Sequence, residues 1–259
     1  MDLTATTAVI GTGLFAGMLL CFEAGHRLGQ RRLASGGAEP GKGAGAAEAA
    51  VFGLMGLLIA FTFSGAAERF EARRHLVTQE VNAIGTAWLR LDMLPAASQP
   101  ALREQFRRYT ALRSNAYQHG SDLASQQQQL AAANQLQGQI WQAALTASQQ
   151  AGAAPQAAML LLPALNDMFD ITTTRAMATQ NHPPAVVFIL LAVLILVGAL
   201  LVGFDMAGNG ERSWLHIIVF ATIMALAVFV IVDLEYPRQG LIRVNDADHA
   251  MKALLAGMH

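Results

Sequence analysis

The chain predicts an all-α integral membrane protein, and three observations carry that expectation. Four apolar stretches, roughly 6–21, 47–63, 184–204 and 214–232, reach or approach the length of a membrane span, which takes about 20 apolar residues. The composition is 54% hydrophobic and 14% charged, with a mean hydropathy of +0.37, whereas a soluble domain carries about 25% charged residues. No segment alternates apolar and polar residues as a half-buried strand does.

The first stretch has no Lys or Arg before it; Arg27, Arg31 and Arg32 follow it. A secretory signal peptide begins with a positive region, so this stretch reads as a retained anchor with its N-terminus outside. A Gly- and Ala-rich linker, 34–45, comes next and reads as flexible. The second stretch runs on without a Gly-Pro break from Phe63 to Leu91. A continuous helix over 47–93 is about 70 Å long at about 1.5 Å per residue. Phe70, Val77, Val81, Ile84, Trp88 and Leu91 recur along it at 7, 4, 3, 4 and 3 residues. That seam is either the core face of a helical bundle or a subunit interface.

Residues 66–182 are polar and rich in helix formers, Ala, Leu, Gln, Glu and Arg. Breaks at Pro95, His119-Gly120 and 152–155 predict helices near 66–93, 99–117, 121–150 and 156–181. The Gln-rich run from Ser125 keeps Leu123, Leu130, Leu136, Ile140 and Leu145 in rough amphipathic register, so it reads as a solvated helix face. A short turn, 205–213, joins the third and fourth stretches. The expected organisation is a membrane hairpin over 1–65, a helical domain inserted over 66–182 that continues the second and third spans, a second hairpin over 183–235, and a tail over 236–259.

The helix count places both termini and the inserted domain on one side of the membrane. The short connections carry Arg27, Arg31, Arg32, Lys42 and Arg212. Positive charge in short loops marks the cytoplasmic side, so the helical domain is expected outside. The arginines at 69, 73 and 74 pull the other way.

Several residues are candidates for function. Phe61, Thr62, Phe63 and Ser64 end the second span; they offer either an apolar constriction with hydroxyls for an ion or ordinary helix contacts. Glu68, Arg69, Glu71, Arg73, Arg74 and His75 follow. Asp167, Asp170, Arg175 and His182 precede the third span, and Asp233, Glu235, Arg238 and Arg243 follow the fourth. These charges are either an ion-gathering vestibule or salt bridges that lock the domain onto the spans. Asp233 also reads as a cap, with Pro237 and Gly240 as a turn. Glu23, His26 and Glu48 flank the ends of the first two spans, where a hydrated interface position explains them. Gly13 with Gly17, and Gly53 with Gly56, are expected to be close-packing sites within or between subunits.

The net charge of −1 gives no field for nucleic acid. One cysteine, Cys21, excludes an internal disulfide, and no Cys/His spacing suits a metal. No nucleotide loop or catalytic constellation is present, so neither enzyme activity nor a cofactor is expected.

Three blocks resemble a known family. They are Glu48-Ala-Ala-Val-Phe-Gly-Leu-Met-Gly-Leu-Leu-Ile-Ala-Phe-Thr-Phe-Ser64, then Arg69-Phe-Glu-Ala-Arg-Arg74 with Glu80-Val-Asn-Ala-Ile-Gly-Thr-Ala-Trp-Leu-Arg-Leu-Asp92, and Asp233-Leu-Glu-Tyr-Pro-Arg-Gln-Gly-Leu-Ile-Arg-Val244. Together they resemble the bestrophin-like bacterial membrane proteins, over nearly the whole chain; residues 99–160 match only in character. The resemblance implies a distant relation to bestrophins, pentameric anion channels whose second helix lines the pore. It implies a cytosolic position for the helical domain, opposite to the charge count. The acidic calcium-binding cluster of bestrophins has no counterpart here.

The leading expectation is an oligomeric pore for small ions in a bacterial inner membrane, lined by the second span, with lipid and further copies of the chain as partners. The alternative is a non-conducting sensor or scaffold whose helical domain binds a partner. A secondary transporter is a third reading, and no Gly/Pro-broken helix pair supports it.

Overall fold

A computed structural model describes residues 3–36, 45–116, 123–209, 213–236, 241–242 and 245–259. All of the long elements are helices: α1 Leu3–Ala34, α2 Gly45–Arg90, α3 Gln99–Asn115, α4 Leu123–Ser148, α5 Ala157–Gln180, α6 Ala185–Met206, α7 Trp214–Glu235 and α8 Asn245–Ala256. There is no strand among the described residues. The chain divides into two compact units, one of 1–68 with 182–241, the other of 69–181 with 242–259.

The first unit holds α1, the N-terminal part of α2, α6 and α7. Four helices of the chain are long and apolar enough to cross a membrane, and these are the segments that supply them. The protein is therefore a multi-pass membrane protein. Its tightest seam lies between α1 and α6. A Cβ on Gly25 would sit 2.0 Å from the Leu200 carbonyl oxygen, and one on Gly203 would sit 2.2 Å from that of Phe22. Gly29 faces the Ala207 Cβ at 2.5 Å in the same sense. Only glycine lets two backbones meet this closely, which is how small residues drive helix association in lipid.

The glycines singled out from the sequence differ among themselves. Gly17 has Leu196 Cδ2 at 3.2 Å, whereas Gly13, Gly53 and Gly56 have nothing within 4 Å in the chain. The reason is rotational. A four-residue step advances about 40° around a helix, so Gly13 has drifted off the face that carries Gly25 and Gly29. The rings of Phe22, Phe220 and Phe52 tie α1, α7 and α2 together edge to face, at 5.9 and 6.4 Å. Phe52 also fills the space over Gly198 of α6, 3.3 Å from where a Cβ would be.

The second unit packs the rest of α2 with α3, α4, α5 and α8. Its core joins Ile84 and Trp88 of α2, and Leu91 just past its end, to Leu102, Phe106 and Tyr109, Leu136 and Ile140, Leu161, Leu165 and Met168, and Met251. The buried stripe of α2 is Arg73, Val77, Glu80, Ile84, Ala87 and Trp88, and Leu91 continues it. Phe70 and Val81 are only partly buried. The seam is thus a core face, and an acid occupies the position where the sequence pattern placed Val81.

α2 ends in a 3₁₀ turn, Leu91–Met93, ahead of Pro95. The loop that contains Gly152 returns to it, with the Ala154 N–H donating to the Met93 carbonyl at 2.8 Å. Gly152 has φ +91°, a left-handed conformation that glycine accepts without strain. α2 therefore continues the second span as one helix. Residues 181–184 between α5 and α6 are not helical, as Pro183 and Pro184 favour. The tail forms α8, which packs on α3 and places Met251 and Met258 in the core. The expected breaks at His119-Gly120 and Pro237–Gly240, most of the 34–45 linker, and Gly210 with Arg212 lie outside the described residues.

Candidate functional site: the uncovered face of the second helix and its charges

Within the membrane unit, α2 has two unlike sides. Met55, Thr62 and Ala66 recur at 7 and 4 residues and are buried. On the other side, Leu54, Leu57, Phe61 and Ser64 recur at 3, 4 and 3 residues and are exposed. Phe61 is 67% exposed. The expectation for the end of the span therefore divides. Phe61 and Ser64 lie on the uncovered face, and exposed Phe63 lies beside it. Thr62 turns into the protein, and its hydroxyl donates to the carbonyls of Leu58 and Ile59 at 2.8 and 3.0 Å. Its one donor hydrogen is thus engaged by its own helix, the usual fate of threonine in an apolar helix.

Within each unit the expected charges differ in burial and in partners. Glu68 is exposed. In the helical unit, exposed Glu71 holds Arg74 at 2.8 Å, and Arg74 lies 6.0 Å from the Phe70 ring centroid. Arg73 is buried and donates to the carbonyls of Ala178 and Asn181, both at 3.0 Å. Those carbonyls end α5, where a cation complements the helix dipole. Asp170 is exposed. Arg175 is buried and donates to Glu80.

In the membrane unit, Asp233 and Glu235 are 2% and 1% exposed. Asp233 Oδ1 accepts the Leu241 N–H at 3.0 Å. Glu235 lies 3.3 Å from His182 Nδ1, and the His182 ring stacks on Tyr236 at 4.7 Å. Asp233, Glu235, Arg73 and Arg175 are thus buried, while Glu68, Glu71 and Asp170 are exposed. At the far end of the spans, Arg27 pairs with Glu23 at 2.6 Å, His26 meets Gln30 at 3.0 Å, and Arg32 lies over Phe204. Glu48 sits in the first turn of α2.

The charge centre that sequence reasoning missed is Glu80 with Arg113. Arg113 Nε donates to Oε1 at 2.6 Å and Nη2 to Oε2 at 3.1 Å, with both side chains enclosed. Burial pushes the Glu80 carboxyl up, but Arg175 and Arg113 outweigh burial and hold it below the ordinary carboxylate value. One signal was available: Glu80 falls on the spacing 73, 77, 80, 84. No group of three or more His, Cys, Asp or Glu that could hold a metal exists among the described residues.

A multi-pass all-α architecture with one long helix shared by span and domain, and left uncovered on one side, defines the class of this protein. The sequence profile of the Bestrophin-like domain matches residues 26–248, and the chain belongs to that family. Crystal structures of two single-residue variants of a bacterial bestrophin homologue from Klebsiella pneumoniae share the fold. One has a TM-score of 0.73 at 13% identity, over 96% of this chain and 97% of that one. The other has a TM-score of 0.72 at 14% identity, over 95% and 97%. A further crystal structure, described as a membrane protein, has a TM-score of 0.72 at 14% identity, over 95% and 98%. At these identities the likeness is one of fold. No curated protein matches the chain.

Proposed function

We propose that the protein is an oligomeric channel for small ions, with copies of α2 surrounding the pore. The observation that carries this reading is the composition of the uncovered face of α2. The exposed positions of α6 and α7 are mostly large and apolar, among them Val186, Ile189, Leu190, Leu215, Ile218, Ile223 and Leu226. That is a lipid-facing surface. The exposed side of α2 instead mixes Leu54, Leu57 and Phe61 with Gly53 and Gly56, which face open space, and with Ser64. Surface glycines invite the backbone of another helix. An aromatic followed by a hydroxyl suits a constriction that opens into water. Family membership supports the same reading.

The alternative, a non-conducting scaffold, draws on Leu89, Met159 and Met177, apolar side chains exposed on the helical unit. Ion flux into liposomes that contain the purified protein decides between them. Flux that Phe61→Ala changes supports the pore; folded protein that passes neither cations nor anions supports the scaffold.

The charge pattern of the connections favours an inner-membrane protein with the helical unit outside. A single cysteine at Gln142, in a Cys21→Ala background, reads this directly. Labelling by an impermeant thiol reagent in intact cells supports an external domain; labelling only after lysis places it in the cytosol.

A further inference from the structure

The stretch of α2 just past the span has one sign of charge in the sequence and the other on its surface. Residues 68–74 contain three arginines and two glutamates, a positive balance. The arginines are all engaged. Arg73 is buried against the carbonyls of Ala178 and Asn181. Arg74 is bound to Glu71 and lies against Phe70. Arg69 is partly buried and has a partner of its own. Glu68 is exposed, and no arginine pairs with it among the described residues.

Glu68 also lies in register with the uncovered face. Leu54, Leu57, Phe61, Ser64 and Glu68 follow one another at 3, 4, 3 and 4 residues, the spacing of a single helix stripe. Along that stripe an apolar section ends at Phe61, a hydroxyl follows, and a carboxylate comes about one turn later, roughly 6 Å along the axis.

We infer that Glu68 determines the charge selectivity of this protein, and that the ions it admits are cations. The inference rests on the reading of α2 as pore-lining. Each copy then contributes one carboxylate at the same height, next to the Phe61 constriction. A ring of carboxylates raises the local cation concentration and repels anions, and low-dielectric walls strengthen the effect. Resemblance to bestrophins implies an anion path; the charge left exposed here has the opposite preference.

Two measurements test this and separate it from the pore reading. In bilayers under a KCl gradient, wild-type current should reverse near the potassium equilibrium potential. Glu68→Gln should lower the potassium-to-chloride permeability ratio about fivefold or more, and Glu68→Lys should bring it below one. The second measurement needs no conduction. A Ser64→Cys reporter in a Cys21→Ala background is treated with cationic and anionic methanethiosulfonates of similar size. The cationic reagent should react about tenfold faster, and adding Glu68→Gln should bring the ratio close to one. An anion-selective wild-type current, or a reagent ratio that ignores Glu68, overturns the cation assignment and leaves the pore standing. Absence of current in every salt overturns the pore reading, and this assignment with it.

Discussion

Arg113 grips Glu80 inside the helical unit through two hydrogen bonds, Nε to Oε1 at 2.6 Å and Nη2 to Oε2 at 3.1 Å, while Arg175 of α5 donates to the same carboxylate. One acid of α2 therefore fastens α3 and α5 together. Removing one partner of a buried ion pair leaves uncompensated charge, which costs about 3–5 kcal/mol. Glu80→Gln should lower the stability of the helical unit by that amount, read by thermal unfolding of the detergent-solubilised protein. An unchanged Tm would mean that the arginines do not depend on Glu80.

The same pairing sets a pH dependence. The folded Glu80 carboxyl titrates below its ordinary value, so the folded state binds fewer protons than the unfolded one. Its stabilisation is complete above the unfolded value, about 4.3, and is lost as pH falls through the lower folded value. Unfolding followed between pH 6 and pH 3 should show the wild type losing stability faster than Glu80→Gln. Parallel curves would assign the acid sensitivity to other carboxylates.

Glycine substitutions should separate helix contacts within a chain from those between chains. A Cβ at Gly203 meets the Phe22 carbonyl oxygen at 2.2 Å, and backbone cannot yield as a side-chain tip can. Gly203→Ala or Gly25→Ala should cost about 1–3 kcal/mol or more through overpacking, with aggregation or poor yield in detergent. Gly53→Ala and Gly56→Ala meet nothing in the chain. They should keep the folded monomer and shift the oligomer distribution measured by crosslinking or native mass spectrometry.

Phe61 and Thr62 are neighbours in sequence with opposite roles expected in flux. Phe61→Ala widens the exposed stripe and should raise the flux rate about tenfold or alter its selectivity. Thr62→Ala removes only a hydroxyl bonded to its own helix, so flux should stay within about twofold. A larger effect of Thr62→Ala than of Phe61→Ala would mean that another face of α2 lines the path.

The C-terminal helix should be needed for the helical unit. Met251 and Met258 are each 3% exposed, and Leu254 Cδ1 lies 3.5 Å from the Cβ position of Gly85. Met251→Ala should cost about 2–5 kcal/mol. Removal of residues 245–259 should make the unit protease-sensitive while leaving the protein membrane-inserted.

Hydropathy alone revealed the four spans, because lipid demands long apolar helices whatever surrounds them. The continuity of α2 was also legible, since nothing between Phe63 and Leu91 breaks a helix. The three sequence blocks pointed to the family that the profile match establishes. Rotation and partnership were decided in three dimensions. A GxxxG pattern shows that a helix surface is small, but helical drift determines which glycine meets a neighbour, so Gly25, Gly29 and Gly203 form the seam and Gly13 does not. Charge counting makes residues 68–74 basic, yet burial of Arg73 and pairing of Arg74 with Glu71 leave Glu68 as the exposed acid that no arginine pairs with among the described residues. The acid at Glu80 looked like one more solvated residue of a polar helix. Only the convergence of α3 and α5, from 33 and 95 residues away, encloses it between two arginines. Local pattern encodes what each segment needs from water or lipid; long-range packing determines which side chains are left to act.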